Sequence, residues 1–108
     1  MRAFAAGPLQ AHPDVLTGTA RSFLDFCRVE KGLAANSISS YQLDLKRLET
    51  DLKVPARAAA PEDLAHHVES LYRAGLSARS IARHITTLRN FYSFLAREGE
   101  IDRDPPNF

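Results

Sequence analysis

No aspartate or glutamate occurs between Ser70 and Arg97, although the chain as a whole is nearly neutral, with 14 Lys+Arg against 13 Asp+Glu. The same stretch holds Arg73, Arg79, Arg83, Arg89 and Arg97. The near-zero total therefore hides a segregated charge, and a segregated basic segment points to a polyanionic partner. Other scarcities exclude whole classes. The single cysteine, Cys27, rules out an internal disulfide, and its place on an apolar helix face reads as a small buried hydrophobe rather than a reactive thiol. No apolar run approaches the roughly 20 residues that span a bilayer, and the opening residues are too short to supply a signal-peptide apolar region. A cytoplasmic location without a membrane partner is the expectation. No stretch alternates with a period of two, and no segment repeats.

The chemistry-bearing residues are equally sparse. His66 and His67 are neighbours, so on a helix they point about 100° apart and cannot share a metal as residues four apart can. No His-Cys or carboxylate cluster completes a site, and no glycine-rich loop could cradle a phosphate. Tyr41 and Tyr92 fall on core-facing stripes without an activating group beside either, and His84 reads as a boundary residue, with approach to a phosphate as the alternative. Neither metal nor cofactor is expected, and this stretch is not expected to be an enzyme by itself.

What is present is a tail and four helices. At 108 residues with 44% hydrophobic side chains, the chain can fill one core but not two. Residues 1–15, with Gly7, Pro8 and Pro13 and no period, read as a flexible arm. A first helix is expected over about residues 16–31, with Leu16, Ala20, Phe23, Leu24 and Cys27 on one side and Gly32 as its stop. Asn36 or Ser37 is the expected cap of a second helix, in which Ile38, Tyr41, Leu45, Leu48 and Leu52 recur at core-facing steps. Residues 53–60, with Pro55, read as a connection. Pro61 suits the first turn of a third helix, with Glu62 and Asp63 favouring the same end through the macrodipole. Leu64, Val68 and Leu71 form its apolar side and Gly75 ends it. Ser77 caps a fourth helix that runs to about Glu98, before Gly99.

On a helical wheel at about 100° per residue, Ile81, Ile85, Leu88, Phe91, Tyr92 and Leu95 of the fourth helix fall in one arc of roughly 120°. Nearly opposite lie Arg79, Arg83, Thr86, Asn90, Ser93 and Arg97. These side chains can bond phosphate oxygens or base edges, and a helix fits the major groove of DNA. A charged stripe is more usually a solvated face, and a helical module that binds an acidic protein is a further alternative, so charge alone does not decide.

The order of short motifs narrows this. Residues 77–95, reading SARSIARHITTLRNFYSFL, followed by Arg97-Glu98-Gly99 and Asp104-Pro105, resemble the closing segment of the N-terminal, core-binding domain of tyrosine recombinases of the Xer and phage-integrase type. Phe23-Leu24, Glu30-Lys31-Gly32-Leu33, Asn36-Ser37, Tyr41 and Asp44-Leu45 resemble the first half of that domain, in the same order. The likeness runs from about residue 16 to residue 106. Ser37 stands where the family commonly has threonine, which preserves the hydroxyl, and residues 1–15 are longer than the usual lead-in.

The resemblance implies an all-α, SAM-like fold: a four-helix orthogonal bundle of two crossed hairpins, over residues 16–100, forming half of a clamp around recombination-site DNA. It implies that the second and fourth helices face the major groove, through Ser37, Ser39, Ser40, Leu43, Lys46 and Arg47 on the second and Arg79, Arg83, Thr86, Thr87 and Asn90 on the fourth. Leu43 is an apolar residue on a polar face, open to contact with a thymine methyl or sugar or to packing against the tail. Phe94 is a similar outlier, suited to meeting a catalytic domain or another subunit. By the same resemblance, residues 101–108 begin a linker to a catalytic domain that would follow, and the partners are double-stranded DNA, that domain and other recombinase subunits.

Overall fold

The computed structural model of the protein describes residues 17–102, and the proposed arm of residues 1–15 and most of the trailing segment lie outside them. Four α-helices make up the bundle: α1 Gly18–Val29, α2 Ala35–Asp51, α3 Pro61–Arg73 and α4 Ala78–Arg97. No strand occurs among the described residues. The fold is all-α.

Each helix boundary has a local cause. Thr17 caps α1 by accepting the Ala20 N–H on its hydroxyl at 3.2 Å. The same hydroxyl donates to Glu49 Oε2 at 2.6 Å, and the Thr17 N–H donates to Glu49 Oε1 at 3.1 Å, which ties the start of α1 to α2. Pro61 opens α3, and the Asp63 carboxylate accepts the orphan Ala60 N–H at 2.8 Å. Ser77 caps α4 by accepting from the Ser80 N–H at 3.1 Å. Gly99 has φ of 76°, where a Cβ would be strained, and the Glu100 N–H then reaches the Leu95 carbonyl at 2.8 Å to close α4.

The cap of α2 departs from expectation. Ala34, in extended conformation, is the N-cap and makes no side-chain bond, so Asn36 and Ser37 lie inside the first turn. The segment between α2 and α3 is more than a connection. It holds a 3₁₀ turn over Ala56–Ala58 and a fully buried Ala59, and the Tyr92 hydroxyl donates to the Ala56 carbonyl at 2.6 Å.

α4 is the central element, in contact with α1, α2 and α3. Its buried residues, including Ile81, His84, Thr87, Leu88, Phe91, Tyr92, Phe94 and Leu95, span an arc of roughly 160° on the wheel. The 120° arc read from sequence suits a helix with one packing partner. Three neighbours widen it, which is why Phe94 lies in the core at 8% exposure and is not a surface outlier. Phe23 centres an aromatic cluster, 5.4 Å from Phe91 and 5.6 Å from Phe94, with Phe26 5.3 Å from Phe94. Burying such a side chain is worth about 1.5–3 kcal/mol. Ile101, which the sequence places in the trailing segment, also joins this core.

Candidate nucleic-acid interface

The seam between α2 and α4 carries the polar geometry of the molecule. Asp44 projects from α2 with no exposed surface. Its Oδ1 accepts from Arg83 Nη2 at 2.7 Å and its Oδ2 from Arg83 Nε at 3.1 Å, a two-pronged ion pair across the helices. The Thr87 hydroxyl lies 2.7 Å from Asp44 Oδ2 and 3.1 Å from the Arg83 carbonyl; its one proton is best spent on the charged, closer acceptor. Burial by itself would raise the Asp44 carboxyl, but His84, Arg83 and Thr87 around it outweigh that and draw it from 3.8 down to about 2.

Behind this pair the polar chain continues through the core. His84 Nε2 lies 2.7 Å from His67 Nε2 of α3, and His67 Nδ1 lies 2.7 Å from Asp51 Oδ2 at the end of α2. One ring donates and the other accepts across this Nε2–Nε2 link, according to the tautomers of the pair. His84 Nδ1 then faces Asp44 Oδ1 at 3.3 Å without an aligned hydrogen bond. Burial lowers the His67 imidazole from its ordinary 6.5, and the hydrogen bond to Asp51 offsets that only in part. His84 is therefore an interior residue and not the boundary residue its sequence position suggests.

The residues expected to touch DNA do not all reach the surface. Thr87 is fully buried and bonded to Asp44, so it belongs to the interior and not, as expected, to the contact surface. Arg83 is only half on the outward face. Its side chain keeps 34% exposure, and two of the guanidinium's five N–H groups are committed to Asp44. Arg79, Thr86, Asn90, Ser93 and Arg97 are exposed. The Thr86 hydroxyl donates back to the Ala82 carbonyl at 3.1 Å, and Asn90 Nδ2 donates to the Tyr41 hydroxyl at 3.2 Å. Arg97 lies over the Phe26 ring at 4.2 Å. On α2, Ser39 and Leu43 are exposed, the latter at 46%, while Ser37, Ser40, Lys46 and Arg47 are half-buried. Arg73, at the start of the acid-free stretch, is paired with Glu69 at 2.9 Å.

Among the described residues no group of three or more His, Cys, Asp or Glu side chains could hold a metal ion. Cys27 is buried, and burial pushes its thiol up. No described helix is long and apolar enough to cross a membrane.

The Asp44 network escaped the sequence reading because its members come from separate helices, His67 and His84 being 17 positions apart. One signal was available. Asp44 flanks the stripe of Tyr41, Leu45 and Leu48, and a carboxylate there must find a partner or a proton.

Comparison with known proteins adds an independent line. Residues 20–99 match the family described as phage integrase, N-terminal SAM-like domain. Curated relatives include the tyrosine recombinase XerD of Listeria monocytogenes serotype 4b, 35% identical over 88 residues, covering 77% of this chain and 30% of the relative. The XerD proteins of Staphylococcus saprophyticus and Staphylococcus haemolyticus are each 36% identical, over 91 and 87 residues, with the same coverage. The chain thus spans about 30% of the length of these relatives. No solved structure matches.

Proposed function

The chain belongs to the phage integrase N-terminal SAM-like domain family, and from that premise we propose that it is the DNA-gripping part of a tyrosine recombinase, with α2 and α4 turned toward the major groove of a recombination site. The observation that carries this reading is the outward face of α4. Arg79, Thr86, Asn90, Ser93 and Arg97 are exposed along it, with no acidic residue in the helix. Arg83 is half-buried and bonded to Asp44 of α2, on which Ser39 and Leu43 are exposed and Ser37, Ser40, Lys46 and Arg47 half-buried. A helix of 20 residues is about 30 Å long, close to one turn of B-DNA.

In this reading the basic side chains fix position through phosphates, Asn90 is the residue best suited to a base edge, and Leu43 meets a thymine methyl or a sugar. Residues 16–100 form the binding unit and residues 101–108 lead to a catalytic domain that supplies the strand chemistry. This stretch alone neither cuts nor rejoins DNA. An acidic protein partner would have to bind the arginine face without help from Phe94, which lies in the core.

Fluorescence anisotropy on a duplex half-site at several salt concentrations tests the proposal. Neutralising about four phosphates gives a slope of log K against log salt near −3.6, at roughly −0.9 per phosphate. A flat response, with an acidic polypeptide competing fully for the face, would put the protein-partner reading in its place.

A further inference from the structure

We infer that Asp44 is a positioning residue for DNA binding: it holds Arg83 in a preformed fork whose outer edge meets a DNA phosphate. The inference rests on the DNA-gripping reading above and adds to it the device that aims one contact.

Three observations carry it. The first is the asymmetry of the pair. Asp44 has no exposed surface while the Arg83 side chain keeps 34%, so the anion is sealed in the seam and the cation is left at the rim. Nε and Nη2 are turned inward to the carboxylate, and the remaining three N–H groups make no other hydrogen bond among the described residues. The second is that the carboxylate cannot turn. Arg83 and Thr87 bond it from α4, and the His84 ring stands 3.3 Å behind it. His84 is in turn held by His67 of α3, which is anchored on Asp51. The third is energetic. An ion pair with its carboxylate buried gains little over a well-packed apolar substitute, so net stabilisation does not account for it. An arginine tethered at two points loses less side-chain freedom when it meets a phosphate than one that sways in solvent.

The alternative physical role is the opposite one, in which Asp44 merely neutralises Arg83 and weakens the basic face. The two roles differ in sign. Asp44→Asn, Arg83→Gln and the double variant are compared by anisotropy on a duplex half-site across salt, with circular dichroism to establish folding. Positioning predicts that Asp44→Asn and Arg83→Gln each lose about tenfold in affinity, the scale of one charge-assisted hydrogen bond. Each also lowers the salt slope by about 0.9, one phosphate. The double variant loses no more than Arg83→Gln alone, because Asp44 acts through Arg83. Unchanged or tighter binding by Asp44→Asn, or additive losses in the double variant, overturns the inference while the DNA-gripping reading stands. If the wild-type chain itself shows no salt-dependent binding, that reading fails first.

A second measurement needs no variant to fold. In the wild-type protein the Arg83 Nε–H, held on Asp44, gives a slowly exchanging NMR resonance that persists when duplex is added. A resonance that exchanges freely before DNA is added, or that is released from Asp44 in the complex, overturns the inference.

Discussion

The seams that α4 makes with α1 and with α2 are built on opposite principles. Against α1 it packs rings, with Phe23 against both Phe91 and Phe94, and Phe26 against Phe94. Against α2 it sets a buried carboxylate between an arginine and a threonine, with two histidines behind. The apolar seam stabilises in proportion to the area it takes from water and is indifferent to small rotations. The polar seam adds little net stability, because desolvating the ions offsets most of their attraction, but it tolerates only one arrangement. The bundle is held by the first seam and registered by the second, and the proposed DNA face lies along the second.

Substitutions separate these roles. Phe23→Ala removes the ring at the centre of the apolar seam and should cost about 3–5 kcal/mol, read from chemical or thermal melts. Arg83→Ala should cost about 2–3 kcal/mol, since it strands a buried carboxylate that only Thr87 and His84 still face. The wheel alone makes Arg83 an exposed residue worth no more than about 0.5 kcal/mol, so a melt of this variant distinguishes a registered seam from a merely solvated face.

Acid acts on the polar seam selectively. The Asp44 carboxyl falls from 3.8 in the unfolded chain to about 2 in the fold, so the unfolded state binds the proton first. Its contribution is present above 3.8 and disappears as pH falls toward 2, a loss of about 2 kcal/mol. His67 is likewise lowered from 6.5. Its contribution is present above 6.5 and is lost as pH falls below that value through the folded-state titration. Melts from pH 7.5 downward should therefore show stability declining already below 6.5 and again below 4. His67→Gln should remove the earlier decline and leave the later one.

The smallest effect on stability belongs to the outward face. Asn90→Ala removes a 3.2 Å bond to the Tyr41 hydroxyl at the surface and should shift stability by no more than about 0.5 kcal/mol while weakening duplex binding. Paired melts and anisotropy on this variant check both halves of that statement.

The parts of this architecture that a sequence reveals are the periodic and the local ones. Leu45 and Leu48 recur at helical steps, Pro61 and Ser77 mark starts, and Gly75 and Gly99 mark ends, so the four helices are legible in the sequence. Thr87 and Phe94 are not, because the width of a buried arc depends on how many neighbours a helix has, and three meet α4. The cap of α2 is missed for a different reason. Good capping side chains at Asn36 and Ser37 lose to the path of the preceding turn, which makes Ala34 the extended residue. Of the candidate interface, the exposed edge of α4 follows from the wheel, whereas the Asp44–Arg83 pair and the His84–His67 link join helices far apart in sequence and leave no periodic trace.

The central claim, that the α2 and α4 face meets the duplex, is tested most directly by amide chemical-shift mapping as duplex half-site DNA is titrated into the labelled protein. The account predicts perturbations concentrated on residues 39–47 and 79–97, with α3 and the outer side of α1 left in place. Perturbations centred on α1 or α3, with Arg79, Arg83 and Asn90 unmoved, would contradict it.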